Sequence, residues 1–129
     1  MTTLNKVLYA EDEADIREIA SLALETIGQL ETVTCESGVH VIDLALCFQP
    51  QLILLDVMMP DMDGPTTLLV LKNHELLKNI PVIFLTAKIL PDEIERFKAL
   101  GAIDVISKPF DPMTLAEQIK QIWTTRNGK

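Results

Sequence analysis

The sequence predicts a three-layer α/β domain in which a parallel sheet is covered by helices on both faces. Three observations point there. Five short apolar runs alternate with longer amphipathic ones, the order βαβαβαβαβα that builds a doubly wound sheet. Several of the short runs are continuous in Val, Ile and Leu, as suits strands buried on both faces. The 129 residues, 48% apolar and 23% charged, match one globular domain with one core.

The strands read as Lys6–Ala10, the less apolar Glu31–Cys35, Leu52–Asp56, Val82–Thr86 and Asp104–Ser107. Between the first two, Ile16, Ile19, Ala20, Ala23 and Ile27 fall on one helical stripe. Val41 and Ala45 mark a second helix, with Ser37 as its expected N-cap and an end before Pro50. The third follows Gly64, and Pro65 suits a first turn because its missing N–H costs nothing there. Pro91, Asp92 and Glu93 open the fourth, which Gly101 should stop. Leu115, Ala116, Ile119, Ile122 and Trp123 give the stripe of the fifth. The whole chain reads as one domain, with a core over about 6–123 and a polar tail over 124–129.

A formal net charge of -8 sets the chain against nucleic-acid phosphates and anionic lipid. Its apolar runs are too short to span a bilayer, and no basic stretch followed by an apolar run opens it. A cytoplasmic location without membrane contact is expected. Cys35 and Cys47 form no C-x-x-C pair and read as reduced, mostly buried thiols.

In open parallel α/β sheets ligands bind at the carboxyl ends of the strands. Those ends carry Glu11 and Asp12, then Asp56, then Thr86, then Ser107, Lys108 and Pro109. Taken singly, Asp12 reads as a solvated loop acid, Lys108 as a snorkelling surface lysine and Thr86 as an ordinary β-branched strand residue. Brought to one place, three carboxylates demand a cation. Oxygen ligands alone, few in number, favour Mg²⁺. A carboxylate held by a buried strand can attack a phosphoryl group and form an acyl phosphate. Mg²⁺ and the Lys108 ammonium would balance the negative charge of that transfer, and the Thr86 hydroxyl would donate a hydrogen bond to it.

These residues resemble the response-regulator receiver domain over about 6–123. The similarity rests on VLYAEDE, LILLDVMMPDMDG, VIFLTA and ISKPF, in that order. The resemblance implies a flavodoxin-like strand order 2-1-3-4-5. It implies that Asp56 takes its phosphoryl group from a phosphohistidine on a histidine kinase or phosphotransfer protein, in a two-component or phosphorelay system. Contacts with a downstream protein target would switch in response. Asp12, Asp56 and the Met58 backbone carbonyl would ligate Mg²⁺, and Glu11 would act through a water. Lys108–Pro109 would be a cis peptide, a rare commitment. The domain would catalyse only its own phosphorylation and dephosphorylation and would not be an enzyme on other substrates. A homodimer through the fourth and fifth helices is a further option.

Two departures from the family pattern stand out. The acidic pair is Glu11-Asp12, where Asp-Asp is usual. Val105 fills a position where many members carry Tyr or Phe, a ring that reorients when the threonine moves. Val105 has no ring to swing, which leaves one alternative open: a receiver-like scaffold that binds a partner independently of phosphorylation. Met58 and Lys88 correspond to positions that flank the path of the attacking water, and an apolar Met58 is expected to slow autodephosphorylation. A phosphohydrolase with a nucleophilic Asp would need a second Asp two residues on, where Met58 stands. A nucleotide-binding domain would need a Gly-rich first turn, where EDEAD stands.

Overall fold

The computed structural model describes residues 3–87 and 90–127, apart from the side chain of Asn127. Five strands, β1 (Lys6–Ala10), β2 (Glu31–Cys35), β3 (Leu52–Asp56), β4 (Val82–Thr86) and β5 (Asp104–Ser107), form one sheet. Its order is β2-β1-β3-β4-β5, and every neighbouring pair is parallel. All five strands keep the bounds read from the sequence. The helices are α1 (Ala14–Leu22), α2 (Val41–Phe48), α3 (Gly64–Lys72), α4 (Pro91–Leu100) and α5 (Leu115–Asn127).

Side chains alternate across the sheet and divide the core in two. Val7, Tyr9, Leu52, Leu54, Ile83, Leu85 and Ile106 pack with Ala20 of α1 and with Leu115, Ile119 and Trp123 of α5. Leu8, Ala10, Ile53, Leu55, Val82 and Phe84 pack on the other face with Val41, Leu68, Leu71 and Phe97 of α2, α3 and α4. Residues of β3 and β4 are buried throughout because both faces and both edges of these strands are covered. β2 has a neighbour on one side only, and none of its residues is fully buried. That is why its sequence is the least apolar of the five.

Local chemistry starts and stops the helices: Pro65 and Gly101 stand where the sequence puts them, Ser37 caps a 3₁₀ turn ahead of α2, and the Asp63 cap is an addition. The Ser37 Oγ accepts from the Val39 N–H at 3.2 Å and starts a 3₁₀ turn, Gly38–His40, that feeds α2. Asp63 caps α3, its Oδ1 accepting from the Thr66 N–H at 2.8 Å, with Pro65 in the first turn. Gly101 stops α4 with φ 124, a backbone conformation that side chains disfavour.

Three details differ from the sequence reading. The sheet-facing stripe of the first helix is Ala20, Ala23 and Leu24, while Ile19 and Ile27 stay 49% and 46% exposed. Small alanines let this helix sit close to the sheet, and a π turn over Ala23–Ile27 changes the phase of the stripe. The polar residues 124–127 continue α5 instead of forming a tail, and 128–129 lie outside the described residues. Cys35 is half-buried but Cys47 is exposed, because Cys47 falls on the outer side of α2; both are free thiols. Among the described residues no helix is long and apolar enough to cross a membrane.

Phe97 joins α4 to the sheet through an edge-on contact with Phe84, ring centres 4.9 Å apart. Phe97→Ala is expected to lower unfolding free energy by about 3–5 kcal/mol, measured by urea denaturation. A loss below about 1 kcal/mol would mean that the contact does not anchor the helix.

Candidate functional site

The parallel register carries the acidic residues to one edge. Tyr9 pairs with Leu54 and Ala10 with Leu55, while Asp56 pairs with Leu85 and Thr86 with Ser107. The Glu11 N–H donates to the Cys35 carbonyl at 2.9 Å, so the β1–β2 ladder runs one residue past the strand. Side chains two apart share a face. Glu11 therefore follows Tyr9 upward, and Asp56 follows Leu54, on the same side of the sheet.

Glu11, Asp12 and Asp56 each offer a carboxylate oxygen within 4.8 Å of the others. Glu11 is fully buried, Asp56 is buried and Asp12 is exposed. The Lys108 Nζ reaches across from the β5 end to Glu11 Oε1 at 2.9 Å and Asp56 Oδ2 at 3.2 Å. Glu11 Oε1 also accepts from the Tyr9 hydroxyl at 3.0 Å, and its Oε2 accepts from the Glu13 N–H at 3.2 Å. Arg17 Nη1 donates to the Glu11 carbonyl at 2.7 Å and fixes the chain as it turns into α1.

Charge is unevenly shared in this cluster. Burial and the neighbouring Glu11 carboxylate push the Asp56 pKa up to about 7, against the opposing pull of Lys108. Burial also acts to raise Glu11, but hydrogen bonds from Lys108 and the Glu13 N–H outweigh it, and its pKa is lowered. Desolvation acts to lower Lys108, yet its bonds to Glu11 and Asp56 leave its pKa raised. The two buried carboxyl groups thus titrate as a pair, and burial with their mutual repulsion favours keeping a proton between them. A second positive charge would release it. Oxygen-only donors at this spacing, one carboxylate exposed and two buried, suit a hard divalent cation that keeps much of its own water.

The loop after β3 is built around Asp56. The Gly64 N–H donates to the Val57 carbonyl at 3.0 Å. A Cβ on Gly64 would stand 2.6 Å from the Asp56 carbonyl oxygen, so only glycine lets α3 start this close. Ser37 Oγ donates to the Pro60 carbonyl at 3.3 Å, tying the far side of the loop to the end of β2.

The other predicted residues take distinct positions. Thr86 is buried at the end of β4, and its carbonyl accepts the Lys108 N–H at 2.9 Å. Lys108–Pro109 is a cis peptide. Met58 lies beyond Val57 with its side chain 77% exposed. Val105 pairs with Phe84 and packs half-buried on the α2–α4 core. Lys88 lies outside the described residues. Sequence reading missed Tyr9, Arg17 and Asp63. Tyr9 carried a usable signal, since it stands two residues before Glu11 on a strand.

A doubly wound sheet with an acid pair, a buried aspartate and a lysine at its carboxyl edge defines a class of α/β domain. The chain matches the response regulator receiver domain family over residues 7–120 and belongs to it, which makes it a receiver domain of two-component signalling. It is 38% identical over 116 residues to the phosphate regulon transcriptional regulatory protein PhoB of Pseudomonas aeruginosa, covering 90% of this chain and 50% of that protein. The chain therefore spans about half the length of that relative. Among solved structures, the chemotaxis response regulator CheY4 of Vibrio cholerae superposes with TM-score 0.85 at 29% identity, over 93% of this chain and 99% of that one. The signal receiver domain of a signal transduction histidine kinase from Syntrophus aciditrophicus superposes with TM-score 0.81 at 31% identity, over 97% and 94%.

Asp56 holds its proton more tightly folded than unfolded. Its contribution therefore favours the native state below about pH 4 and is lost as pH rises toward 7. In metal-free buffer Asp56→Asn is expected to stabilise the protein at pH 8 by on the order of 2 kcal/mol, with a smaller gain at pH 5. Melting curves at both pH values check this, and equal gains would disprove the charge explanation.

Proposed function

We propose that this domain is a phosphoacceptor whose Asp56 takes a phosphoryl group from a phosphohistidine on a histidine kinase or phosphotransfer protein. The observation that carries this reading is the buried Asp56 carboxyl, bonded to Lys108 and set within one acidic cluster. In the transfer an ionised Asp56 oxygen attacks phosphorus, the P–N bond breaks, and its electron pair returns to the donor imidazole. Lys108 already bridges Glu11 and Asp56, so a small movement brings its ammonium to a phosphoryl oxygen. Thr86, at the end of the adjacent strand, would supply a hydroxyl donor to another.

Asp12, Asp56 and the Met58 carbonyl would hold Mg²⁺ directly, and Glu11 through a water. Bound there, the ion supplies the charge that keeps Asp56 ionised and balances the phosphoryl oxygens. Beside Lys108 an apolar groove of about 320 Å³, lined by Ile16, Ile19, Pro109 and Phe110 among others, offers the donor protein a place to dock. The result would be a changed surface for a downstream protein target, and a homodimer is one form that the output could take. The domain catalyses only its own phosphorylation and dephosphorylation. Its negative charge fits a cytoplasmic protein–protein regulator and not direct nucleic-acid binding by this chain.

Val105 keeps a second reading of the output open. With no ring to reorient, it packs beside Phe84 on the α4 side of the sheet. A scaffold whose partner binding ignores Asp56 would keep this arrangement, and binding that survives Asp56→Asn unchanged would select it.

Treatment with acetyl phosphate and Mg²⁺ is expected to add one phosphoryl group by intact mass, and none to Asp56→Asn. No adduct with any donor or metal would end the phosphoacceptor reading. An apolar side chain exposed at position 58 can lie over the acyl phosphate and exclude water. Met58→Asn should therefore shorten the phosphoryl half-life several-fold, and an unchanged half-life would clear Met58 of that role.

A further inference from the structure

Tyr9 is fully buried, and its ring belongs to the core under α1 and α5. Its hydroxyl still meets a carboxylate, donating to Glu11 Oε1 at 3.0 Å. A buried phenol requires a partner, and an ionised one is the strongest available. Among the described residues no buried side-chain nitrogen or oxygen lacks a hydrogen-bond partner, so this bond belongs to a fully satisfied site. Glu11 needs the tether more than a shorter acid would. Its extra methylene adds a rotatable bond that must be frozen before the carboxylate can serve a site. The Glu13 N–H holds Oε2, while Tyr9 and Lys108 share Oε1. With all three bonds made, Glu11 stands within 4.8 Å of the Asp12 and Asp56 ligand atoms.

We propose that Tyr9 is a positioning residue whose hydroxyl holds Glu11 in the pose that completes the acidic site for Mg²⁺. This inference deepens the phosphoacceptor reading and rests on it. Lys108 has other work to do: when its ammonium turns to a phosphoryl group, Oε1 loses one of its two donors. Tyr9 is then the donor left on Oε1, and with the Glu13 N–H on Oε2 it keeps Glu11 from swinging away. The buried ring gives the hydroxyl a fixed origin that a surface side chain would not have.

The test is a Mg²⁺ titration followed by melting temperature, on the wild type, Tyr9→Phe, Glu11→Asp and the double variant. Loss of a hydrogen bond to a charged group should raise the Mg²⁺ midpoint of Tyr9→Phe by roughly ten-fold or more. In the Glu11→Asp background, where the shorter acid does not reach the hydroxyl, Tyr9→Phe should leave the midpoint unmoved. A packing role for Tyr9 would lower melting temperatures without this coupling. The chain has 1 tyrosine, so 3-fluorotyrosine labels Tyr9 alone and needs no substitution to fold. Its single ¹⁹F resonance should shift with Mg²⁺ and again in Glu11→Asp. A wild type whose melting ignores Mg²⁺ overturns both the metal-dependent reading and this inference. A responsive wild type overturns the inference alone if Tyr9→Phe keeps the same midpoint, shifts it equally in both backgrounds, or if the resonance ignores both changes.

Discussion

One ammonium shared between two buried carboxyl groups governs this molecule's functional edge. Lys108 bonds Glu11 and Asp56 at once, and its single charge cannot satisfy both as full anions. Burial first, and the crowding of two carboxyl groups second, push the Asp56 pKa up. The rest of the edge follows from that shortage of positive charge. An exposed Asp12 beside the pair leaves the site open to a cation from solution. A buried strand holds Asp56 still while the balance changes around it, since every residue of β3 is covered.

Much of this was legible because parallel sheets obey strong rules. Short apolar runs, several of them continuous, marked the bounds of all five strands, and the rule that ligands gather at carboxyl ends singled out Glu11, Asp12, Asp56, Thr86 and Lys108 as candidates. The less legible parts depend on distance between elements. Tyr9 reads as one more apolar core residue until Glu11 is seen above it. Arg17 binds a backbone carbonyl, and nothing in its sequence spacing announces that. The stripe of the first helix slipped because periodicity assumes one regular helix, and the π turn at Ala23–Ile27 breaks that regularity.

A glutamate at position 11 is not local in its effects. A longer acid reaches deeper and meets groups below the surface of the site. Here it draws in the buried phenol of β1 and the Glu13 amide, so its head group is bonded at both oxygens. Hydrophobic packing around Tyr9 and electrostatics around Asp56 thereby become parts of one arrangement. The α4 side of the sheet is plainer, with Val105 and Phe84 in register and Phe97 carrying the contact into α4.

The hydrogen bond from the Lys108 N–H to the Thr86 carbonyl has a mechanical meaning. It carries the β4–β5 pairing one residue past Ser107 and ties the backbone of Lys108 to the last residue of β4. If Thr86 advanced toward a ligand, this bond would draw the Lys108 backbone with it or break. Were both residues to act as donors, such a harness would favour a toggle with two settings over a graded dial.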